Sequence, residues 1–298
     1  MRVVDFRENF AGERGELCCF STPDARGLVI SIPKMPPWLL ENQDAALELM
    51  ASYARPLEVD AVGLGSLLAV IAGRGEPLAQ ALDVPVTTGA AATSWAAIEN
   101  TLGVAERLGV TEVAVLGFSG AVGQAVAVGL KAAGLEVAVG VRGKALARRA
   151  ERLGLAHGSD VEAVAGRALV VGAATTGGTL EPSALAPGTV LLDVALPPTL
   201  KEGPRPKGVR VFAAEALELP DGWTKGFWGG LYHYVSGYGP SVVYACLLEP
   251  MVLALSGRDR PFALGRRVDP QDLAEFGRLA RDLGLTPRLT EGWRLATV

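Results

Sequence analysis

A glycine-rich turn between an apolar strand and an apolar helix is the segment with the clearest chemical meaning. Its residues are Gly117, Phe118, Ser119, Gly120, Ala121, Val122 and Gly123. Glycines at such a turn let the backbone approach a pyrophosphate, and the free amides at the positive end of the helix bind its charge. The flanking strand and helix matter because a G-x-x-G-x-x-G string alone is weak evidence. We therefore predict that these seven residues bind a dinucleotide cofactor.

The next predicted strand ends in basic residues. An enzyme that uses NAD usually places an acidic side chain there to bind the ribose hydroxyls, whereas this sequence places Arg142 and Lys144. A guanidinium matches a phosphate bidentately and an ammonium adds a point charge, so the pair favours the 2′-phosphate of NADPH over NADH. A solvated turn is the alternative. We also assign Ala173, Thr175 and Asp193, which lie in or directly after two later apolar runs, to the cofactor-binding residues.

Cys246 and His233 are the candidates for covalent and acid–base chemistry. The sequence predicts a helix that starts near Ser241, which places Cys246 about one turn in and Glu249 three residues further on the same face. The helix dipole stabilises a thiolate there, and a thiol suits acyl transfer. The alternative is an inert packed thiol among apolar neighbours. His233, in an aromatic and glycine-rich loop, is a candidate proton donor, with a structural role as its alternative.

Short β-type runs alternate with helical runs after Thr87, and this order predicts a doubly wound parallel Rossmann sheet in an α/β protein. The predicted strands are residues 112–117, 136–141, 168–174, 189–195 and 209–216. We predict a smaller N-terminal α/β substrate lobe over 1–90, an NADP-binding domain with its connecting helix over 91–235, and C-terminal helices over 236–298 that pack back on the first lobe.

Composition limits the partners. The chain has 298 residues, 49% of them hydrophobic, and a formal net charge of −4, which excludes disorder and gives no electrostatic reason to bind nucleic acid or an anionic membrane. Its apolar runs are too short for a membrane span. Three cysteines without a secretory signal favour the cytoplasm, and two histidines without a CxxC motif predict no metal site. The composition is compatible with a homo-oligomer, although no segment identifies an interface.

Several segments together resemble one family, the cyanobacterial long-chain acyl-[acyl-carrier-protein] reductases. The resemblance extends from about residue 62 to about residue 289. It is carried by VGLGSLLAVI, VPVTTGAAATSWAA at 84–97, the phosphate turn VAVLGFSGAVGQAV, Arg142, VLLDVALP at 190–197 and YACLLEPM at 244–251. The resemblance implies that NADPH is the reductant, that Cys246 accepts the acyl chain as a thioester, and that the product is an aldehyde. The implied substrate is a fatty acyl thioester on acyl carrier protein or coenzyme A.

The same resemblance implies a substrate site. Thr87, Thr88 and Gly89 are expected to line a cleft opposite Cys246, and an aromatic loop with Trp228 and Tyr232 is expected to cover the acyl tail and exclude water. The sequence departs from the family pattern in three places. Ala90, Ala91 and Ala92 replace polar residues, Pro250 replaces a helix former, and the first sixty or so residues match poorly.

Two other functions stay open at this point. One is an NADP-dependent dehydrogenase of the shikimate dehydrogenase or glutamyl-tRNA reductase architecture that acts on a small polar carbonyl or hydroxyl, since fold alone does not separate the two. The other is a non-catalytic dinucleotide-binding protein, for which the three alanines are the best support. The segment from Trp223 to Cys246 is aromatic and nearly free of charge, which favours a tunnel for an acyl tail.

Overall fold

The structure is a computed structural model that describes residues 1–8, 15–32, 34, 36–225, 241–291 and 294–296. It divides into two compact units. The first comprises Met1–Ala92 and Leu217–Thr286, and the second comprises Thr93–Ala216 and Pro287–Val298. The sequence predicts that residues 236–298 pack on the first lobe, whereas the segment from Pro287 onward belongs to the second unit because its strands extend the second sheet.

The N-terminal part of the first unit alternates strands with short helices. Its elements are β1 (Arg2–Glu8), β2 (Gly15–Ser21), β3 (Arg26–Ile32), α1 (Pro36–Glu41), α2 (Gln43–Ala54), β4 (Ala61–Leu64), α3 (Glu76–Ala81) and β5 (Val86–Thr87). The strands lie in the order β2-β3-β1-β4-β5. All neighbours are parallel except β2 and β3. Phe6, Ile30 and Met50 belong to the hydrophobic core of this unit.

The second unit contains the predicted alternation. Its elements up to the last parallel strand are α4 (Ala90–Leu108), which begins in the first unit, β6 (Glu112–Leu116), α5 (Ala121–Ala132), β7 (Glu136–Gly140), α6 (Lys144–Arg152), β8 (Ala156–Gly158), α7 (Asp160–Val164), β9 (Leu169–Gly172), β10 (Val190–Asp193) and β11 (Arg210–Glu218). The strands lie in the order β8-β7-β6-β9-β10-β11, and successive neighbours are parallel. This is the strand order of a doubly wound Rossmann sheet, so the predicted fold class is confirmed.

The chain order changes direction between β6 and β9, and this reversal matters for function. After β6 the chain builds β7 and β8 on one side, then returns to build β9, β10 and β11 on the other. In open parallel sheets, ligands bind beyond the carboxyl ends of the strands at such a reversal. The residues that follow β6 and β9 are therefore the candidates for a ligand site.

The C-terminal part adds elements to both units. They are β12 (Thr224–Lys225), β13 (Val242–Tyr244), α8 (Ala245–Leu255), β14 (Ala263–Leu264), β15 (Arg267–Val268), α9 (Pro270–Asp282), β16 (Thr286–Glu291) and β17 (Arg294–Ala296). β12 pairs antiparallel with β2, while β16 and β17 continue the second sheet beyond β11. Within the described residues, no helix is both long and apolar enough to cross a bilayer.

The start of α8 differs from the prediction. The sequence predicts a start near Ser241, but α8 begins at Ala245, and the preceding residues form β13. Two valines and a tyrosine are residues that favour strands over helices, which accounts for the difference. Cys246 is therefore the second residue of its helix, closer to the helix N-terminus than predicted.

Candidate functional site

The glycine turn after β6 has a steric reason for two of its three glycines. Gly117 has a φ of 82°, and a Cβ built on it would lie 2.2 Å from the carbonyl oxygen of Ala173, which follows β9. The backbone amide of Gly120 donates to the carbonyl oxygen of Gly117 at 2.9 Å and closes the turn. A Cβ on Gly123 would lie 2.3 Å from the same carbonyl oxygen, so this glycine lets the first turn of α5 pack directly on the turn backbone.

The turn lies at the chain reversal of the sheet, beside residues that the sequence analysis also assigned to the cofactor. Ala173 contacts Gly117 as described, and the hydroxyl of Thr175 lies 3.3 Å from a Cβ built on Gly120. Phe118 is fully buried in the core of the second unit, so only its backbone is available to a ligand there. The side chain of Ser119 is exposed. The structure thus brings the predicted phosphate turn together with Ala173 and Thr175.

Asp193 is a different case, because its carboxylate is occupied by its own loop. It ends β10 and is 7% exposed. Its oxygens accept from the amide of Thr199 at 2.7 Å, the hydroxyl of Thr199 at 2.9 Å and the amide of Ala195 at 3.1 Å. Burial raises the pKa of this carboxyl, against the effect of these hydrogen bonds. Asp193 therefore fixes the loop after β10, and its contact with a cofactor stays a prediction.

Arg142 is anchored by a carboxylate that sequence reasoning missed. The Nη2 atom of Arg142 donates to Oδ2 of Asp160 at 2.8 Å, and the Arg142 side chain is 69% exposed. Asp160 begins α7, and its Oδ1 atom lies 2.1 Å from a Cβ built on Gly140, the last residue of β7. An acid does lie at the end of this strand, but α7 supplies it. The guanidinium keeps further N–H groups for a phosphate. Lys144 begins α6 and is exposed.

The first unit holds a half-buried thiol beside the Thr87–Gly89 segment. Cys246 follows Tyr244 and Ala245 at the N-terminus of α8, and it is not part of a disulfide. Gly89 has a φ of 73°, and a Cβ built there would lie 2.3 Å from Cβ of Cys246. Any larger residue at position 89 would collide with the cysteine. The structure thus places Gly89 directly against Cys246, whereas the sequence predicts the two residues on opposite sides of a cleft.

Glu249 joins the same segment to α8 from within the core. It is 0% exposed, accepts a hydrogen bond from the amide of Ala92 at 2.7 Å, and accepts another from the hydroxyl of Thr87. Burial raises its pKa to about 7, although the bonds from Thr87 and from the amides of Ala92, Ala91 and Gly89 act in the opposite direction. Glu249 therefore holds the first turn of α4, and the Thr87–Gly89 segment that precedes it, against α8.

Thr87 and Thr88 have further partners in β14. The hydroxyl of Thr87 lies 3.1 Å from the carbonyl oxygen of Ala263, and the amide of Thr88 donates to the same oxygen at 3.1 Å. Both threonines are buried. The predicted residues Trp228, Tyr232 and His233 lie outside the described residues. In the described part of the first unit, the structure brings together Thr87, Thr88, Gly89, Cys246 and Glu249.

Comparisons with known proteins give partial matches. No family model matches the chain. The chain is 30% identical over 244 residues to the aminotransferase PigE of Serratia sp. (strain ATCC 39006), a match that covers 75% of this chain and 27% of that protein. The chain therefore spans about a quarter of the length of this curated relative.

The similar solved structures overlap with only part of the chain. The dipicolinate synthase A chain of Bacillus subtilis is 20% identical, with 51% of this chain and 56% of that chain covered and a TM-score of 0.35. The transhydrogenase of Sinorhizobium meliloti is 12% identical, with 54% and 68% covered and a TM-score of 0.35. CAD of Helicobacter pylori, complexed with NADP(H), is 20% identical, with 39% and 38% covered and a TM-score of 0.30. The Rossmann assignment of the second unit rests on its own strand order and glycine turn.

Proposed function

We propose that this chain is an NADP-dependent oxidoreductase that reduces a fatty acyl thioester to an aldehyde through a covalent intermediate on Cys246. The observation that carries the proposal is the half-buried thiol at the second position of α8, packed against Gly89. A structural thiol needs neither a helix N-terminus nor access to solvent. A nucleophilic thiol needs access to its substrate, and a helix N-terminus is one of the environments that stabilise its thiolate.

The second unit has the features that a dinucleotide requires. The close packing around Gly117 and Gly123 leaves no room for a Cβ, so the turn backbone runs directly beneath the N-terminus of α5. Gly120 precedes this helix and has no side chain to cap it, which leaves the first amides of α5 for a pyrophosphate. Arg142, held by Asp160, would bind the 2′-phosphate and so favour NADPH.

The chemistry on Cys246 has two steps. The thiolate, stabilised by the positive end of α8, attacks the carbonyl carbon of the thioester. A bond forms between that carbon and Sγ, the bond to the carrier sulfur breaks, and the carrier thiolate takes up a proton. A bound nicotinamide dinucleotide would supply the hydride that converts this acyl group to an aldehyde. In that second step the carbon–Sγ bond breaks and Cys246 leaves as a thiolate.

Glu249 acts as a positioning residue in this proposal. Because it is fully buried, it supports the Thr87–Gly89 segment against Cys246, while the catalytic role that the sequence suggested for it stays a prediction. Proton donation by His233 and coverage of the acyl tail by Trp228 and Tyr232 also stay predictions. The carrier of the thioester, acyl carrier protein or coenzyme A, follows from the resemblance and is part of the proposal.

Intact-protein mass spectrometry tests the proposal. The full chain is incubated with a long-chain acyl-CoA in the absence of NADPH, as wild type and as Cys246→Ser, with Cys19→Ser as a control that removes a different thiol. We expect a mass increase equal to one acyl group in wild type and in Cys19→Ser, and none in Cys246→Ser. Titration with NADPH should give the same affinity for all three proteins. An unmodified wild type that still binds NADPH, or a labelled Cys246→Ser variant, would contradict the proposal.

A further inference from the structure

The first unit contains a concave site that Cys246 does not line. It has a volume of about 620 Å³ and lies between the turn Ala72–Gly75 and the hairpin formed by β14 and β15. The amide of Gly265 in the hairpin donates to the carbonyl oxygen of Arg74 in the turn at 3.2 Å, which joins the two walls. We call this site the arginine pocket because Arg74, Arg266 and Arg267 line it.

The charge of the arginine pocket is not balanced by the residues around it. Glu76 is the acidic group among the lining residues that the structure describes. In the described part of the chain, none of the three arginines forms an ion pair with a carboxylate. Burial, and then the charge of Arg266, lower the pKa of Arg74. Two guanidinium groups thus repel each other in a chain whose net charge is −4, and an anion between them would remove that repulsion.

The turn that presents Arg74 has an uncommon backbone. Gly73, Arg74 and Gly75 have φ values of 67°, 57° and 83°, so three consecutive residues are left-handed. Glycine adopts this conformation readily, but an arginine with a Cβ does so rarely, and such residues gather at ligand sites. The fold therefore keeps Arg74 in an unfavourable conformation beside a concave surface.

The arginine pocket adjoins the proposed thioester site. A Cβ built on Gly75 would lie 3.7 Å from Cγ2 of Thr88, and Gly89, the next residue, packs on Cys246. Thr88 also binds the carbonyl oxygen of Ala263 in β14, the strand that leads into the hairpin with Arg266. The arginines and the thiol are thus connected through one short segment within one unit.

We propose that the arginine pocket binds the phosphate of a phosphopantetheine arm, the thioester carrier that coenzyme A and acyl carrier protein share. The inference rests on the proposed function, because it supplies the carrier end of the same substrate whose acyl end reacts with Cys246. Arginine is suited to this ligand since its planar fork binds two phosphate oxygens at once. The remainder of the arm, which carries two amide groups and ends in the thioester sulfur, would then extend from the arginines toward Thr88 and Gly89.

Isothermal titration calorimetry of the full chain at low ionic strength tests this inference. The probes are 4′-phosphopantetheine, pantetheine, inorganic phosphate and malonate. The variants are Arg266→Gln and Arg267→Gln, both in exposed positions, with Arg26→Gln as an exposed arginine of the same unit outside the pocket. We expect 4′-phosphopantetheine to bind, each pocket variant to weaken it about tenfold, and Arg26→Gln to leave it unchanged. Pantetheine, which lacks the phosphate, should bind at least about tenfold more weakly than 4′-phosphopantetheine.

Several outcomes would overturn the inference. Equal affinity for pantetheine and 4′-phosphopantetheine would show that the pocket does not recognise the phosphate. Tighter arginine-dependent binding of malonate or inorganic phosphate would assign the pocket to another anion. Acylation of Cys246 at an unchanged rate in the double variant Arg266→Gln/Arg267→Gln would also refute it while leaving the proposed function intact. Arginine-dependent binding of 4′-phosphopantetheine without acylation of Cys246 would support the pocket and refute the reductase proposal.

Discussion

Replacing Glu249 by glutamine is expected to remove a pH dependence from the stability of the first unit. The pKa of Glu249 is raised to about 7 in the folded protein from an ordinary value of 4.5, and burial is the main cause. Between these two pH values the folded state keeps a proton that the unfolded chain has released. The unfolded state then binds fewer protons, so the free energy of unfolding falls as pH rises through this window. Above about pH 7 the contribution is constant.

The magnitude follows from the two pKa values. A difference of one in pKa corresponds to about 1.36 kcal/mol, so the change from 4.5 to about 7 corresponds to a loss of about 3 kcal/mol, most of it between about pH 5 and about pH 8. Glutamine resembles the protonated acid and does not titrate, so it makes no such pH-dependent contribution to the free energy of unfolding. Its oxygen can accept from the amide of Ala92. Its NH₂ group can donate to the hydroxyl of Thr87, which in turn can donate to the carbonyl oxygen of Ala263 at 3.1 Å.

Urea denaturation of wild type and Glu249→Gln at about pH 5 and about pH 8 measures this term. The stability of the glutamine variant relative to wild type should increase by about 2–3 kcal/mol from the lower to the higher pH. Glu48→Gln, which changes an exposed carboxylate in α2, should show no such increase. If the difference between wild type and Glu249→Gln is the same at both pH values, burial does not hold this carboxyl in its protonated form, and the reasoning is refuted.

Three further predictions concern the second unit and α9. Gly123→Ala should weaken NADPH binding at least about tenfold in a fluorescence titration, because its Cβ would lie 2.3 Å from a carbonyl oxygen, whereas Gly103→Ala, with open space around it, should not. Arg142→Gln should reduce the preference for NADPH over NADH about tenfold in the same titration, and unchanged binding of both nucleotides would contradict its role. Asp272→Asn should lower the free energy of unfolding by about 2 kcal/mol, because it removes one of the two carboxylates that pair with the guanidinium of Arg258, which is 9% exposed, while Glu275 remains. Asp282→Asn breaks an exposed pair with Arg278 and should cost less than about 1 kcal/mol in the same urea experiment.

The Rossmann sheet could be predicted because its strands are buried on both faces. Such strands appear in the sequence as continuous runs of valine and leucine, as in β6, β9 and β10. β8 was missed since its three residues are Ala156, His157 and Gly158, two of them exposed, which leave no apolar run. The strands β16 and β17 were also missed. They pair at the edge of the sheet, where polar residues are tolerated and no continuous apolar run is needed.

Contacts between residues close in sequence could be predicted at the candidate site, whereas contacts between distant residues could not. The glycine turn is local, so its spacing within seven residues was sufficient to locate it. Asp160 lies 18 residues after Arg142 and is brought to it by α7, an element too short to predict. The arginine pocket joins Arg74 to residues of a hairpin almost two hundred positions later. No local sequence pattern predicts such pairs, because these long-range contacts depend on the tertiary fold of the first unit.

The hydrogen bond between Thr87 and Glu249 spans 162 residues, and it changes the meaning of the three alanines. In the sequence, Ala90, Ala91 and Ala92 suggested that polar functional groups had been lost. In the structure, Ala91 and Ala92 are 0% exposed, and their amides donate to a buried carboxylate at the N-terminus of α4. Larger polar side chains would need space and hydrogen-bond partners in the same buried volume. The alanines are therefore explained by the packing around Glu249, and they no longer favour a protein without catalysis.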